Sequence, residues 1–241
     1  TGRIGGCYAP DRMTWETSQT SFQEVRVSGD LTDRIDATLR GWRLLEHPFL
    51  AALGRGSLPL DSLQAYGAQF YHFERAYPTI LAGIHRRCSI QRFRQQLLDR
   101  LWAESRDETN HVDLWLDLCE ALGLAREDVT AGGPSLATAG LVDALRELSD
   151  RESAIGASAL YAYESQAPLL SIAMPDALST HYGVDEDAGS FFEVHRPLDE
   201  EQAAVARELV MVQSGGAADD QALEAAERTV TALSGFLDDL V

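Results

Sequence analysis

The sequence predicts an all-α protein, a bundle of about seven helices, and three observations carry that prediction. From Leu31 onward apolar residues recur at intervals of three and four. No stretch sustains the two-residue alternation of a half-buried strand, and short Gly- or Pro-bearing breaks separate the helical tracts. The chain has 241 residues, 45% of them hydrophobic, which is enough to bury a sizeable core. One helical domain is expected over 31–241, preceded by a polar, aperiodic arm over 1–30.

The tracts follow in order. The first spans 33–53 and stops at Gly54-Arg55-Gly56. The second begins near Pro59, a residue suited to a first helical turn. It carries the stripe Leu60, Leu63, Tyr66, Phe70, Phe73, Tyr77, Ile80, Ile84 and Cys88, with a kink expected at Pro78. The third, 91–123, has a possible interruption at 106–110. A Gly/Pro/Ser turn at 131–135 leads to a short helix over 141–148. The next tract, 153–173, is rich in Ala, Gly and Ser, which lets backbones approach closely and suits a central helix. Pro168 should kink it and Pro175 close it. Ser190 and Glu193 have capping-box spacing and should start the sixth tract, which runs to Gly215 with Pro197 inside it. The last helix spans 221–240.

Composition excludes whole classes of function. Twenty basic against 38 acidic side chains give a net charge of −18, unsuited to nucleic acid or an anionic membrane, whose binding draws on clustered cations. All twenty cations are arginines, so Schiff-base, pyridoxal-phosphate and phosphate-loop lysine chemistry are excluded. Three widely spaced cysteines, Cys7, Cys88 and Cys119, suggest neither a disulfide framework nor a thiolate zinc site. With no signal peptide or membrane span in the sequence, a cytoplasmic protein is expected.

Three places put ionisable groups where a core stripe should be apolar. Glu104, Glu108 and His111 share an i, i+4, i+7 spacing that places them within an arc of about 60° if the helix is continuous. Glu164 ends a segment otherwise fit for burial, where a lone carboxylate is costly unless paired, protonated or metal-bound. His195, Asp199 and Gln202 repeat the i, i+4, i+7 spacing. Carboxylates and imidazoles facing one another across helices are how bundles hold non-haem iron or manganese. Glu74, near the Pro78 kink, is a spare ligand or a substrate contact. His47, His72, His85 and His181 read as structural or exposed. Because the chain has 38 acids, acidic i, i+4, i+7 patterns arise by chance, so the histidine pairings and Glu164 carry the weight.

At these residues the chain resembles the haem-oxygenase-like superfamily, which includes thiaminase-type proteins, pyrroloquinoline-quinone synthase and haem-oxygenase-like di-iron oxidases. The matching stretches span about 41–211. They are His47-Pro48-Phe49-Leu50, Gln69-Phe70-Tyr71-His72-Phe73, Arg75-Ala76-Tyr77-Pro78, Glu104 and His111 with Leu114-Trp115, and Ala121-Leu122-Gly123-Leu124. Further on come Tyr163-Glu164, Tyr182-Gly183 and Phe191-Phe192-x-x-His195-x-x-x-Asp199.

The di-iron branch is the most similar, and the resemblance implies a seven-helix haem-oxygenase-like bundle with Glu104, His111, Glu164, His195 and Asp199 as catalytic metal ligands. Glu108 competes with Glu104, and Gln202 stands where that branch has its final histidine, which should weaken one metal site. The central tract has no counterpart of the thiaminase-type cysteine. The implied function is O2-dependent oxidation or oxygenation of a small amino-acid-derived or carboxylate substrate by one or two Fe(II) ions. Tyr71, Arg75 and Tyr163 would be substrate contacts, an external electron donor could take part, and the protein would be a homodimer. The alternatives are a cofactor-free oxidase similar to pyrroloquinoline-quinone synthase and a non-catalytic ligand-binding bundle.

Overall fold

The computed structural model describes residues 29–106, 110–185 and 189–241, and among them are eleven α-helices, one 3-10 turn and no strand. The arm expected over 1–30 lies almost wholly outside the described residues, as does Glu108. The first expected tract divides into α1 (Gly29–Arg40), the 3-10 turn (Leu44–Glu46) and α2 (Pro48–Gly54). Pro48 accounts for the division, because proline disfavours helical backbone in the residue before it. His47 is accordingly extended, and its Nδ1 accepts the Phe49 amide as the cap of α2.

α3 (Leu60–Arg87) runs on for 28 residues with Pro78 inside it. The third tract is interrupted where expected, giving α4 (Gln91–Ser105) and α5 (His111–Ala121). Asn110 caps α5 by accepting the Val112 amide at 3.0 Å. Glu104 and His111 therefore stand on different helices, and the i, i+4, i+7 arc of a continuous helix is not what unites them. A short α6 (Arg126–Ala131), which the spacing does not foretell, precedes α7 (Leu136–Ser149). α7 starts five residues before the expected 141, because Ser135 caps it through the Thr138 amide.

The small-residue tract also divides, into α8 (Ser153–Glu164) and α9 (Ala167–Tyr182). Pro168 sits in the first turn of α9, where its missing N–H is tolerated. Pro175 lies within α9 and does not close it; Gly183 does, at φ 71°. α10 (Ser190–Gln213) accommodates Pro197 without a break, but its N-cap is Gly189 and no side chain caps it, so the Ser190/Glu193 box does not form. α11 (Asp219–Asp238) completes the bundle.

α8 is the central helix, packed against α3, α7, α10 and α11. Every residue from Ala154 to Ala162 is buried. Gly156 shows why small side chains are needed: a Cβ there would lie 3.3 Å from Ile84 on α3 and 3.4 Å from the Leu148 carbonyl on α7. The C-terminal end of α8 delivers Glu164 to the space between α3, α4 and α10, where the other ionisable groups converge.

Candidate metal centre

Glu104 in the last turn of α4, His111 at the start of α5 and His195 in α10 each offer one donor atom within 4.8 Å of the other two. His111 Nδ1 is 2.5 Å from Glu104 Oε2, and the two imidazole centroids are 4.3 Å apart. Glu104 and His111 are buried, at 4% and 6% exposure. Aromatic packing sets their positions. Trp115, one turn beyond His111, donates its indole N–H to the Gly67 carbonyl of α3 at 2.8 Å. It also meets Phe191 edge-on at 4.8 Å. Phe191 lies one turn before His195, and its carbonyl accepts a hydrogen bond from His195 Nδ1 at 2.6 Å.

That bond fixes the imidazole's tautomer. A carbonyl only accepts, so Nδ1 carries the proton and Nε2 keeps its lone pair. Burial, reinforced by His111, pushes the His195 pKa down to about 4, which leaves the ring neutral at pH 7. Burial alone would raise the Glu104 carboxyl, but the adjoining His111 and the Arg100 charge outweigh it and hold it below its usual value. His111 Nδ1 is buried against the Glu104 carboxylate. Two imidazoles and a carboxylate converging in this way suit a divalent ion. This donor set is the one that holds non-haem Fe(II) with open positions.

Glu164 and Asp199, also expected as ligands, stand outside this cluster, each with one oxygen engaged. Arg100, four residues before Glu104, places NH2 2.6 Å from Glu164 Oε1 and Nε 3.6 Å from Glu104 Oε1. The Tyr77 hydroxyl donates to the same Glu164 oxygen, and the guanidinium lies over the Tyr77 ring at 5.2 Å. Asp199, 2% exposed, accepts the Ser171 hydroxyl. Burial raises its pKa despite that bond. Gln202 Oε1 is buried without a partner. Glu74 is 4% exposed, and its carboxyl is raised well above the ordinary range, first by burial and then by the Glu104 charge.

Beside the three donors lies a small aromatic cavity of about 70 Å³, walled by Tyr66, Phe70, Trp115, Tyr163, Phe191 and Met174 among others. His195, Asp199 and Ser171 are polar groups on its lining. Tyr163 is there as expected, but the structure does not bring Tyr71 or Arg75 to it. Tyr71 is buried against the His72 ring, and Arg75 is exposed beside a separate groove with Asp143 and Arg146. The reason is helical phase: Arg75 faces away from the stripe that carries Tyr66, Phe70, Phe73 and Tyr77.

Sequence reasoning passed over Arg100, Tyr77 as a hydrogen-bond donor and Ser171. Arg100 had a signal. It occupies the buried face of α4, in register with Phe93, Leu97 and Glu104, where an arginine needs a buried partner.

The geometry describes a helical bundle that gathers two histidines and a glutamate beside an aromatic cavity, and comparison with known proteins supplies the family. Residues 64–234 match the family model described as iron-containing redox enzyme. The chain belongs to this family and is an oxidoreductase. It is 34% identical to 4-aminobenzoate synthase of Chlamydia muridarum over 88% of this chain and 90% of that one. It is 30% identical to pyrroloquinoline-quinone synthase of Acinetobacter calcoaceticus over 59% of this chain and 58% of that one. Its fold matches a TenA homologue from P. horikoshii with a TM-score of 0.70 and 18% identity, covering 89% and 97% of the two chains.

Proposed function

We propose that the protein is an O2-dependent non-haem iron oxidase or oxygenase in which Glu104, His111 and His195 hold Fe(II), acting on a small substrate with an aromatic body. The observation that carries this reading is the convergence of those three donors beside an aromatic cavity that shares His195 in its lining. Bound iron would supply the one-electron chemistry that lets O2 react with a closed-shell organic molecule.

The chain's own residues supply the rest. Phe191 holds His195 in the tautomer that presents Nε2. Tyr66, Phe70, Trp115 and Phe191 exclude water and accept a flat ring by stacking or edge contact. Asp199, steadied by Ser171, is the acceptor on the cavity wall suited to an amine or hydroxyl of the substrate. The absence of Arg75 from this lining moves the expected substrate away from a carboxylate anchored by that arginine and towards an aromatic amine or phenol. 4-aminobenzoate, the product for which the relatives are named, is likewise a small aromatic amine.

The test is anaerobic Fe(II) loading of metal-free wild type, Glu104→Ala and His195→Ala, followed by O2 uptake with 4-aminophenol and with tyrosine as probes. Tight iron binding in wild type, weakened at least tenfold in both variants, with probe-dependent O2 uptake, is the expected result. Iron binding that survives both substitutions would overturn the assignment.

A further inference from the structure

We propose that the Arg100 guanidinium occupies the second half of the centre, so that the protein holds one iron ion where the di-iron resemblance implies two. The inference rests on the metal reading above and goes beyond it to the number of ions. A second ion would need Glu164 as a bridging carboxylate, Asp199, and a nitrogen donor at position 202. Two of the three already carry a hydrogen bond or ion pair on one oxygen, and the third is a neutral amide in place of an imidazole. Glu164 Oε1 is bound by Arg100 NH2 at 2.6 Å and by the Tyr77 hydroxyl, and Asp199 accepts the Ser171 hydroxyl. Position 202 carries an amide whose oxygen is buried and unpartnered.

Arg100 is well made for such a post. Its side chain is 11% exposed, it reaches Glu104 as well as Glu164, and the Tyr77 ring lies beneath it. A guanidinium cannot give up its proton in a protein, so it is a permanent cation between the two carboxylates. A divalent ion placed beside it in a dry interior would meet strong repulsion, because Coulomb energies there are several-fold larger than in water. Arg100 stands farther from Glu104, at 3.6 Å against 2.6 Å from Glu164, and the His111 imidazole meets the other oxygen of the Glu104 carboxylate. The remote side of Arg100 opens on a second cavity shared with Gln202, Phe93, Leu97 and Leu198, so removing the guanidinium would leave room and a path for an ion.

The test is anaerobic Fe(II) titration of metal-free wild type, Gln202→His and Arg100→Ala/Gln202→His, read by bound iron per chain, Mössbauer spectra and thermal unfolding. One magnetically isolated ion is expected in wild type and in Gln202→His, because Arg100 remains in both. The double variant should take up a second ion, and Fe(II) should raise its unfolding temperature by more degrees than it raises that of wild type. Two exchange-coupled ions in wild type or in Gln202→His would overturn the inference and leave the iron-enzyme reading intact. No bound iron in wild type would overturn that reading itself. A folded double variant that still holds one ion would show that Arg100 is not what excludes the second. Should the double variant fail to fold, the iron count and spectrum of wild type and Gln202→His decide.

Discussion

His195 is half-buried against another imidazole, and both its surroundings and that neighbour keep it unprotonated, so that Nε2 stays free to donate its lone pair. Its folded pKa of about 4 lies below the ordinary 6.5, so between those values the unfolded chain binds more protons than the folded one. Stability of the metal-free protein therefore rises with pH across this window and is lost as pH falls from about 6.5 to about 4. The full span corresponds to roughly 3 kcal/mol. Glu104, held low, adds to the loss on acidification, whereas Asp199, raised by burial, opposes it. Comparison with His195→Gln isolates the imidazole: the variant should show a flatter dependence of unfolding temperature on pH from 6.5 to 4, and an unchanged slope would assign the titration elsewhere. Tyr77 offers a second residue-scale test. Tyr77→Phe removes one hydrogen bond to the Glu164 carboxylate while the Arg100 pair remains, and should cost about 1.5–3 kcal/mol in urea unfolding.

At the scale of elements, the joints between helices do as much as the helices themselves. Gly56, between α2 and α3, has φ 66°, and a Cβ there would stand 2.6 Å from the His181 ring of α9. Gly56→Ala combines backbone strain with a displaced ring and should lower stability by about 1–3 kcal/mol, measured by denaturant unfolding. The joints also mark where the sequence was and was not legible. The interruption at 106–110 was visible because the apolar spacing lapses there, whereas the break at Pro48 was hidden inside a periodic run and follows from the proline alone. The Ser190/Glu193 box misled because capping spacing says nothing of whether the preceding residue leaves Ser190 outside the helix. Here the helix begins at Ser190 itself, with Gly189 as its cap. Pro168 and Pro175 show the same ambiguity, since a proline reads alike at a first turn and within a helix.

Over the whole molecule, the fold class was legible because a period of 3.6 persists through most of the chain. The three clustered side chains were visible because Glu104, His111 and His195 interrupt apolar stripes. Arg75 and Arg100 were legible in principle, since the stripe of α3 turns Arg75 outward and Phe93 and Leu97 turn Arg100 inward, but an arginine gives no apolar signal of its own and neither phase was followed to it. The molecule joins these parts. The proposed centre would draw ligands from α4, α5 and α10, three separate elements, so bound metal should brace the bundle as a unit. An ion that binds the folded state alone stabilises it by about 4 kcal/mol when present at 1,000 times its dissociation constant. For a chain of this length that corresponds to a rise of about 10 °C in unfolding temperature. Anaerobic Fe(II) should produce such a rise in wild type, and a chelator should reverse it. Mg2+ should not reproduce it, because two of the three donors are imidazoles and magnesium prefers oxygen. Glu104→Ala should lose the rise through the absence of its carboxylate, even where α4 is otherwise intact. An equal rise with Mg2+, or one retained in Glu104→Ala, would locate the stabilising ion among the exposed acids that give the chain its −18 charge, and not at this centre.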